Sequence, residues 1–345
     1  MNICQLFGIE YPILLSPMAG VTTPQLASEV SNAGALGALG LGASSVTQCR
    51  EQILATQALT NQPFQVNFFC HQTVQPCVEK HQQWLDYIRS EFEKWGAEIP
   101  SQLNCIYPSF LDGDEFLNVI LETGVKIVSF HFGIPHQHQI QTLKQAGIIT
   151  MVTATNLVEA QAIEQAGIDV IIAQGVEAGG HRGIFHAERD GAMTTLELVK
   201  LLKQHISRPV IATGGLMTGQ DIQQMLQAGA DGVQLGTAFI QCSSSNANHA
   251  YRQALFAQPQ TQITSCISGR PARGIINQWH NLDTAQRPDV ADYPYAYDVA
   301  KQLHGIASQQ GNQDYAAFWA GTGVSKIRDL SATDLVKTLV QEMQG

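Results

Sequence analysis

Apolar and polar positions alternate in blocks along this chain. Runs of nearly continuous apolar side chains recur at 12–18, 36–41, 64–69, 126–132, 148–154, 169–174, 209–213 and 232–236. Runs this short and this uniformly apolar read as strands buried on both faces. Between most of them lie segments with helical spacing, at 23–33, 47–59, 137–146, 156–166, 194–205 and 218–228. Several end in Ala-Gly, where Gly34, Gly147, Gly167 and Gly229 supply the left-handed residue that stops a helix before the next strand. Strand and helix in alternation mean parallel strands joined by crossover helices. Eight such units fit an α/β fold of the closed (β/α)8 TIM-barrel type better than an open doubly wound sheet. The open sheet would carry a GxGxxG turn after its first strand, and Ser16-Pro17-Met18-Ala19-Gly20 lacks it.

Two stretches break the rhythm. From about Cys70 to Phe116 a charged, aromatic, helix-like run (78–95) precedes what reads as an extra strand at 104–107, and this material is expected to pack around the barrel. From 242 to 322 the chain opens with Ser243-Ser244-Ser245-Asn246 and turns rich in Ala, Gln, His and Tyr. It is expected to be an inserted, mainly helical lobe after strand eight that covers the active site. The amphipathic segment 332–343 then closes the barrel, so the expected division is 1–241 and 323–345 for the barrel and 242–322 for the lobe.

Composition narrows the partners. The chain of 345 residues is 44% hydrophobic, enough for a large core, and carries a formal net charge of −10 with no lysine or arginine run. That charge leaves no electrostatic footprint for nucleic acid or an anionic membrane surface, and favours a small-molecule partner. The 7 cysteines include no CxxC pair, so neither a metal site nor a disulfide framework is expected. The N-terminus has no signal-like apolar core and no window is long enough for a membrane helix, so a cytoplasmic location is expected.

Candidate chemistry gathers at the C-terminal ends of the expected strands, the face on which barrel enzymes place their sites. Strand six empties into Gln174, Gly179, Gly180 and His181. Glycines there allow close backbone approach to a ligand, and the histidine exchanges a proton near neutral pH. Strands seven and eight end in Gly214-Gly215 and Gln234-Leu235-Gly236-Thr237. Exposed main-chain N–H groups at that position can bind a phosphate without lysine, the alternative being two ordinary strand-to-helix turns. Asn67 and Gln174 are amides at the ends of apolar strands, suited to the edge of a heterocycle such as a flavin or to a structural network. Pro17, Met18 and Ala19 can line the flat face of such a ring. His131 and Ser129 at the end of strand four are candidates for a substrate pocket, with a buried histidine bonded to one backbone group as the other reading of His131. Arg182 is placed to pair with Glu177 or to hold a loop. Tyr315 and Lys326 can touch ligand or sit on the surface.

The strings SPMAGVTTPQLASEVSNAGALGALG, PFQVNFF, VSFHFGIP, AQGVEAGGHRGIF and VIATGGLMTGQDIQQMLQAGADGVQLGTAF resemble those of the nitronate monooxygenases, formerly 2-nitropropane dioxygenases, of the FMN-dependent barrel group. The resemblance spans nearly the whole chain. It implies a TIM barrel with a noncovalently held FMN bound by Asn67, Gln174, Gly179, Gly215 and 234–237, with Gly180, Gly214 and Pro17 to Gly20 close by. It also implies His181 as catalytic base. The implied reaction is oxidation of an alkyl nitronate, or of a nitroalkane, by O2 to a carbonyl compound and nitrite. An FMN-dependent enoyl-thioester reductase working on an acyl carrier protein, or an NAD(P)H:quinone reductase, is the nearest alternative in the same architecture.

Overall fold

A strand whose side chains are apolar in both directions has no face for water, and a barrel walled by helices accommodates eight of them. In the computed structural model, which describes residues 2–187, 189–257 and 259–344, they are β1 (Ile13–Leu15), β2 (Gly37–Gly40), β3 (Phe64–Phe69), β4 (Ile127–His131), β5 (Ile149–Ala154), β6 (Val170–Gln174), β7 (Val210–Thr213) and β8 (Gly232–Leu235). Neighbours are parallel throughout, in the order β1, β8, β7, β6, β5, β4, β3, β2. A parallel bridge between Leu14 and Leu36 joins the two ends of that order and closes the barrel. A short N-terminal helix, Ile3–Phe7, plugs one mouth: Ile3 and Phe7 pack on Leu14, Leu36, Ile127, Met151, Val170 and Ile211. The other mouth, at the strand C-termini, is the open one.

The helices start and stop where local chemistry dictates. Gly34, Gly147, Gly167 and Gly229 adopt φ of +89°, +67°, +84° and +103°, the left-handed conformation that ends each helix. Reciprocal capping boxes open Val46–Leu59, Thr195–His205 and Gly219–Gln227. At the last of these, Thr218 Oγ1 accepts from Asp221 N at 3.2 Å and Asp221 Oδ2 accepts from Thr218 N at 3.0 Å. Replacing Thr218 with Ala removes one half of the box and is expected to lower unfolding stability by about 1 kcal/mol in a urea titration. The final helix, Ala332–Gln344, lies against Gly219–Gln227, where a Cβ on Gly219 would stand 2.5 Å from the Leu339 carbonyl. Between Gly113 and β4 a helix at Glu115–Thr123, absent from the sequence reading, fills the barrel's outer layer.

The first insertion behaves differently from expectation. Its helix Val78–Glu93 does not wrap the barrel; Trp84, Leu85, Ile88 and Phe92 share a second core with Cys266, Trp279, Val299, Leu303 and Tyr315 from the 242–322 stretch. Nor is 104–107 a strand. The Asn104 main-chain N–H and Nδ2 donate to Asp298 Oδ2 at 2.8 and 3.0 Å, so a carboxylate on helix Tyr295–Gln309 satisfies backbone that a neighbouring strand would otherwise serve. The second core also carries an antiparallel sheet, in which Thr261–Thr264 pairs with Ala272–Ile275, and Ala272 and Arg273 pair in turn with His181 and Gly180. Among the described residues no helix is long and apolar enough to cross a membrane.

Candidate active site

Where the strands end, a cavity of about 1020 Å³ lies between barrel and lobe. Pro17, Met18, Ala19, Gly20, Asn67, His131, Gln174, Gly179, Gly180, His181, Gly214, Gly215, Gln234, Leu235, Gly236 and Thr237 all line it. Ser129 does not. It is fully buried beneath the wall, and its Oγ accepts from Asn67 Nδ2 at 3.0 Å. That bond fixes the Asn67 carboxamide at the cavity floor.

The glycines divide into two kinds. Gly214 and Gly215 have φ of +128° and +72°, and their N–H groups, with that of Gly236, donate to no protein acceptor among the described residues. Unpaired N–H groups at adjacent strand ends on one cavity are donors of the kind that can receive an anion. Gly20 and Gly180, with φ of +78° and +76°, have nothing within 4 Å of where a Cβ would stand, so a side chain there would project into open space. Gly179 serves close packing instead. A Cβ on it would stand 2.5 Å from Gly321 N, and one on Gly323 would stand 2.5 Å from the Gly215 carbonyl. Gly321 N in turn donates to Thr237 Oγ1 at 3.0 Å, which draws the segment after Trp319 over the β8 end. A phosphate-bearing planar ligand fits this wall: a donor cradle without lysine, amides at the floor, and open space where side chains are missing.

The imidazole of His181 stands at the lobe side. Its main-chain carbonyl accepts from Gln174 Nε2 at 3.0 Å and from His131 Nε2 at 3.1 Å, and Thr153 Oγ1 donates to His131 Nδ1 at 3.1 Å. The Gln174 Oε1 accepts from Gly183 N at 2.7 Å and Arg182 Nη1 at 3.0 Å. Both ends of the Gln174 amide therefore hold the loop that carries His181. Rings of Phe132, Tyr293 and Trp319 surround the imidazole with centroids 5.6, 5.6 and 5.2 Å away. Burial first, then the neighbouring His131 and Arg270, lowers the His181 pKa to about 3. Burial likewise brings His131 to about 4. Both rings are neutral at physiological pH.

Arg182 does not pair with Glu177; it holds the loop, the other role the sequence allowed it. It is fully buried and meets Asp190 through Nε and Nη2 at 2.7 and 3.1 Å, while Nη1 also donates to the Gly175 carbonyl at 2.7 Å. Glu177 faces Thr195 instead, accepting from its N–H at 2.9 Å and Oγ1 at 3.0 Å. Lys326 is tied to Asp221 at 2.9 Å, outside the cavity. Tyr315 is buried, touches the cavity, and donates its hydroxyl to Glu91 Oε2 at 2.7 Å.

Sequence reading missed the lobe's aromatic wall. Tyr107, Tyr293, Tyr297 and Trp319 line the cavity beside Lys301, whose ammonium donates to Tyr107 Oη at 2.8 Å. Tyr293 is held well above its ordinary pKa by burial, and its hydroxyl has no partner among the described residues. A buried, protonated, unpaired hydroxyl beside a histidine is a donor awaiting an acceptor. The signal was the tyrosine-rich composition of 242–322 and the aromatic pair before Gly321, neither of which says where a ring points.

The family model described as nitronate monooxygenase matches residues 2–342. A nitronate monooxygenase of Pseudomonas aeruginosa is 45% identical over 346 residues, covering 99% of this chain and 98% of that one. One from Paraburkholderia phytofirmans is 45% identical, covering 98% and 94%. A solved structure of nitroalkane oxidase from Streptomyces ansochromogenes superposes with a TM-score of 0.89 at 35% identity, covering 99% and 97%.

Proposed function

The chain belongs to the nitronate monooxygenase family of oxidoreductases, and from that premise we propose that it oxidises alkyl nitronates, and nitroalkanes it first deprotonates, with noncovalently held FMN and O2, to carbonyl compounds and nitrite. FMN supplies the electron acceptor that no side chain of this site offers, while the chain supplies position and electrostatics. The Gly214, Gly215 and Gly236 N–H groups would hold its phosphate, Asn67 and Gln234 would meet its polar edge, and Pro17 to Gly20 with Gly180 would flank its ring.

A nitroalkane carries an acidic hydrogen on the carbon bearing the nitro group, and a neutral imidazole can accept it. His181 is that imidazole: neutral, fixed through its own carbonyl, and in the same cavity as the glycine cradle. This juxtaposition is the observation that carries the reading. The Tyr293 hydroxyl, unpaired and beside the imidazole, would donate to a nitro oxygen as negative charge gathers there. The aromatic wall keeps water from the reacting carbon.

Anaerobic titration of the purified yellow protein tests the proposal. A primary alkyl nitronate is expected to bleach the flavin spectrum and NADPH to leave it unchanged over the same interval. Rapid bleaching by NADPH with none by the nitronate would move the chain to the reductases, and a protein that neither carries nor takes up FMN would remove the cofactor.

A further inference from the structure

We propose that Ser268 sets the tautomer of His181, holding the proton on Nε2 so that Nδ1 presents a lone pair to the cavity. The inference rests on the reading of His181 as base and says which nitrogen does the work.

Ser268 is fully buried in the turn between the strands Thr261–Thr264 and Ala272–Ile275. The turn is fixed on both sides. Cys266 and Ile267 sit in the lobe core, and a Cβ on Gly269, whose φ is +86°, would stand 2.4 Å from the Ala291 carbonyl. The strand after the turn pairs Ala272 with His181, which brings the turn alongside the imidazole.

Ser268 Oγ has one hydrogen to give and two lone pairs to receive. Three polar atoms meet it: His181 Nε2 at 2.8 Å, the Arg270 carbonyl at 3.1 Å and the Arg270 main-chain N–H at 3.3 Å. The carbonyl can only accept and the N–H can only donate. All three contacts are hydrogen bonds in one arrangement, with the hydroxyl donating to Arg270 O and accepting from Arg270 N and from His181 Nε2–H. Turning the hydroxyl toward Nε2 would set oxygen lone pairs against each other across the Arg270 contact. In a buried position the fully satisfied arrangement is favoured.

With Nε2 protonated and the ring neutral, Nδ1 is the acceptor. When it takes a proton, the Nε2–H to Ser268 bond stays as it was, so no buried dipole has to turn during the transfer. The opposite tautomer would offer Nδ1–H to the substrate, able to donate to a nitronate but unable to receive a carbon proton.

The test reads the tautomer directly. In 15N-histidine-labelled holoenzyme near pH 7, the His181 signals, assigned among the 11 histidines by their loss in His181→Asn, are expected at a pyrrole-type shift for Nε2 and a pyridine-type shift for Nδ1. The reverse pattern in the wild-type protein overturns the proposal whatever the variants do. Ser268→Ala is expected to mix the two forms and lower kcat/KM for a neutral nitroalkane about tenfold, a part of the 10²–10⁴ that a placed base supplies in full. Its effect on a preformed nitronate should be smaller, and Ser268→Thr, which keeps the hydroxyl, should restore most of the loss. An unmixed tautomer in a folded Ser268→Ala also overturns it. Failure of the base reading would look different: nitroalkane turnover would survive in His181→Asn while the wild-type tautomer stayed as described.

Discussion

His181→Asn is expected to lower kcat/KM for neutral nitroalkanes by about 10²–10⁴ while FMN stays bound and preformed nitronates are still consumed at a substantial fraction of the wild-type rate. Asparagine keeps a polar side chain near Ser268 and leaves the main-chain carbonyl, with its bonds from Gln174 and His131, untouched. What it lacks is a nitrogen able to take a proton. Substrates that arrive already deprotonated bypass that loss, and the split between the two substrates separates a base from a residue that merely shapes the pocket. Steady-state oxygen consumption on each substrate, with the flavin content measured in parallel, reads it. The pH profile adds a second reading. With the His181 pKa lowered to about 3, the ring is neutral across pH 5–9, so nitroalkane turnover should show no limb from its titration in that window. A limb near pH 6.5 that disappears in His181→Asn would mean the imidazole is far better solvated than its surroundings imply. Equal losses on both substrates would assign it an orienting role instead.

Most of the barrel was legible because its signals are local. A parallel strand buried on both faces needs only a run such as Val170–Ile172, and a helix stop needs only a glycine able to take positive φ, as at Gly167. The glycine ends of β7 and β8 were legible for the same reason. Where local signals are ambiguous the reading slipped. Phe116, Leu117, Val119 and Ile120 are buried from the helix Glu115–Thr123, which has the same length as helices that were read but follows directly on the irregular 70–116 insertion, where no strand marks its start. The 104–107 segment is short and partly apolar like a strand, yet its polar backbone is answered by Asp298, 194 residues away. The lobe side of the site was illegible for a deeper reason: its geometry is made by docking. Ser268 meets His181 across 87 residues of chain, and the helix Val78–Glu93 joins a core assembled mainly from residues after 265. Nothing at Ser268 or Tyr293 in the sequence marks either as facing a histidine. Gln174 shows the middle case, since its place on the cavity wall was readable but its binding of the His181 loop was not.

Asp190→Ala is expected to destabilise the fold by about 3–5 kcal/mol, because it strands a guanidinium that the structure keeps fully from water. Arg182 would retain the Gly175 and Gln174 oxygens but lose the two carboxylate contacts that balance its charge. The damage should reach the site, since Arg182 follows His181 directly and shares Gln174 with it. Chemical denaturation of wild type and variant measures the first effect, and loss of nitroalkane turnover at temperatures where the variant is still folded measures the second. The pair also sets an acid limit. Desolvation pushes the Asp190 pKa up, but the Arg182 hydrogen bonds and charge outweigh it and hold the carboxyl below its ordinary value of 3.8. A carboxyl depressed in the folded state stabilises fully above its unfolded pKa, and that contribution drains away as pH falls below 3.8 toward the folded value. The stability difference between wild type and Asp190→Ala should therefore be constant from neutral pH down to about 5 and shrink in stronger acid. A difference that stays constant to pH 3 would mean that the Asp190 carboxyl is not depressed in the folded state, and one below about 1 kcal/mol at pH 7 would mean that Arg182 finds water or another carboxylate once Asp190 is gone.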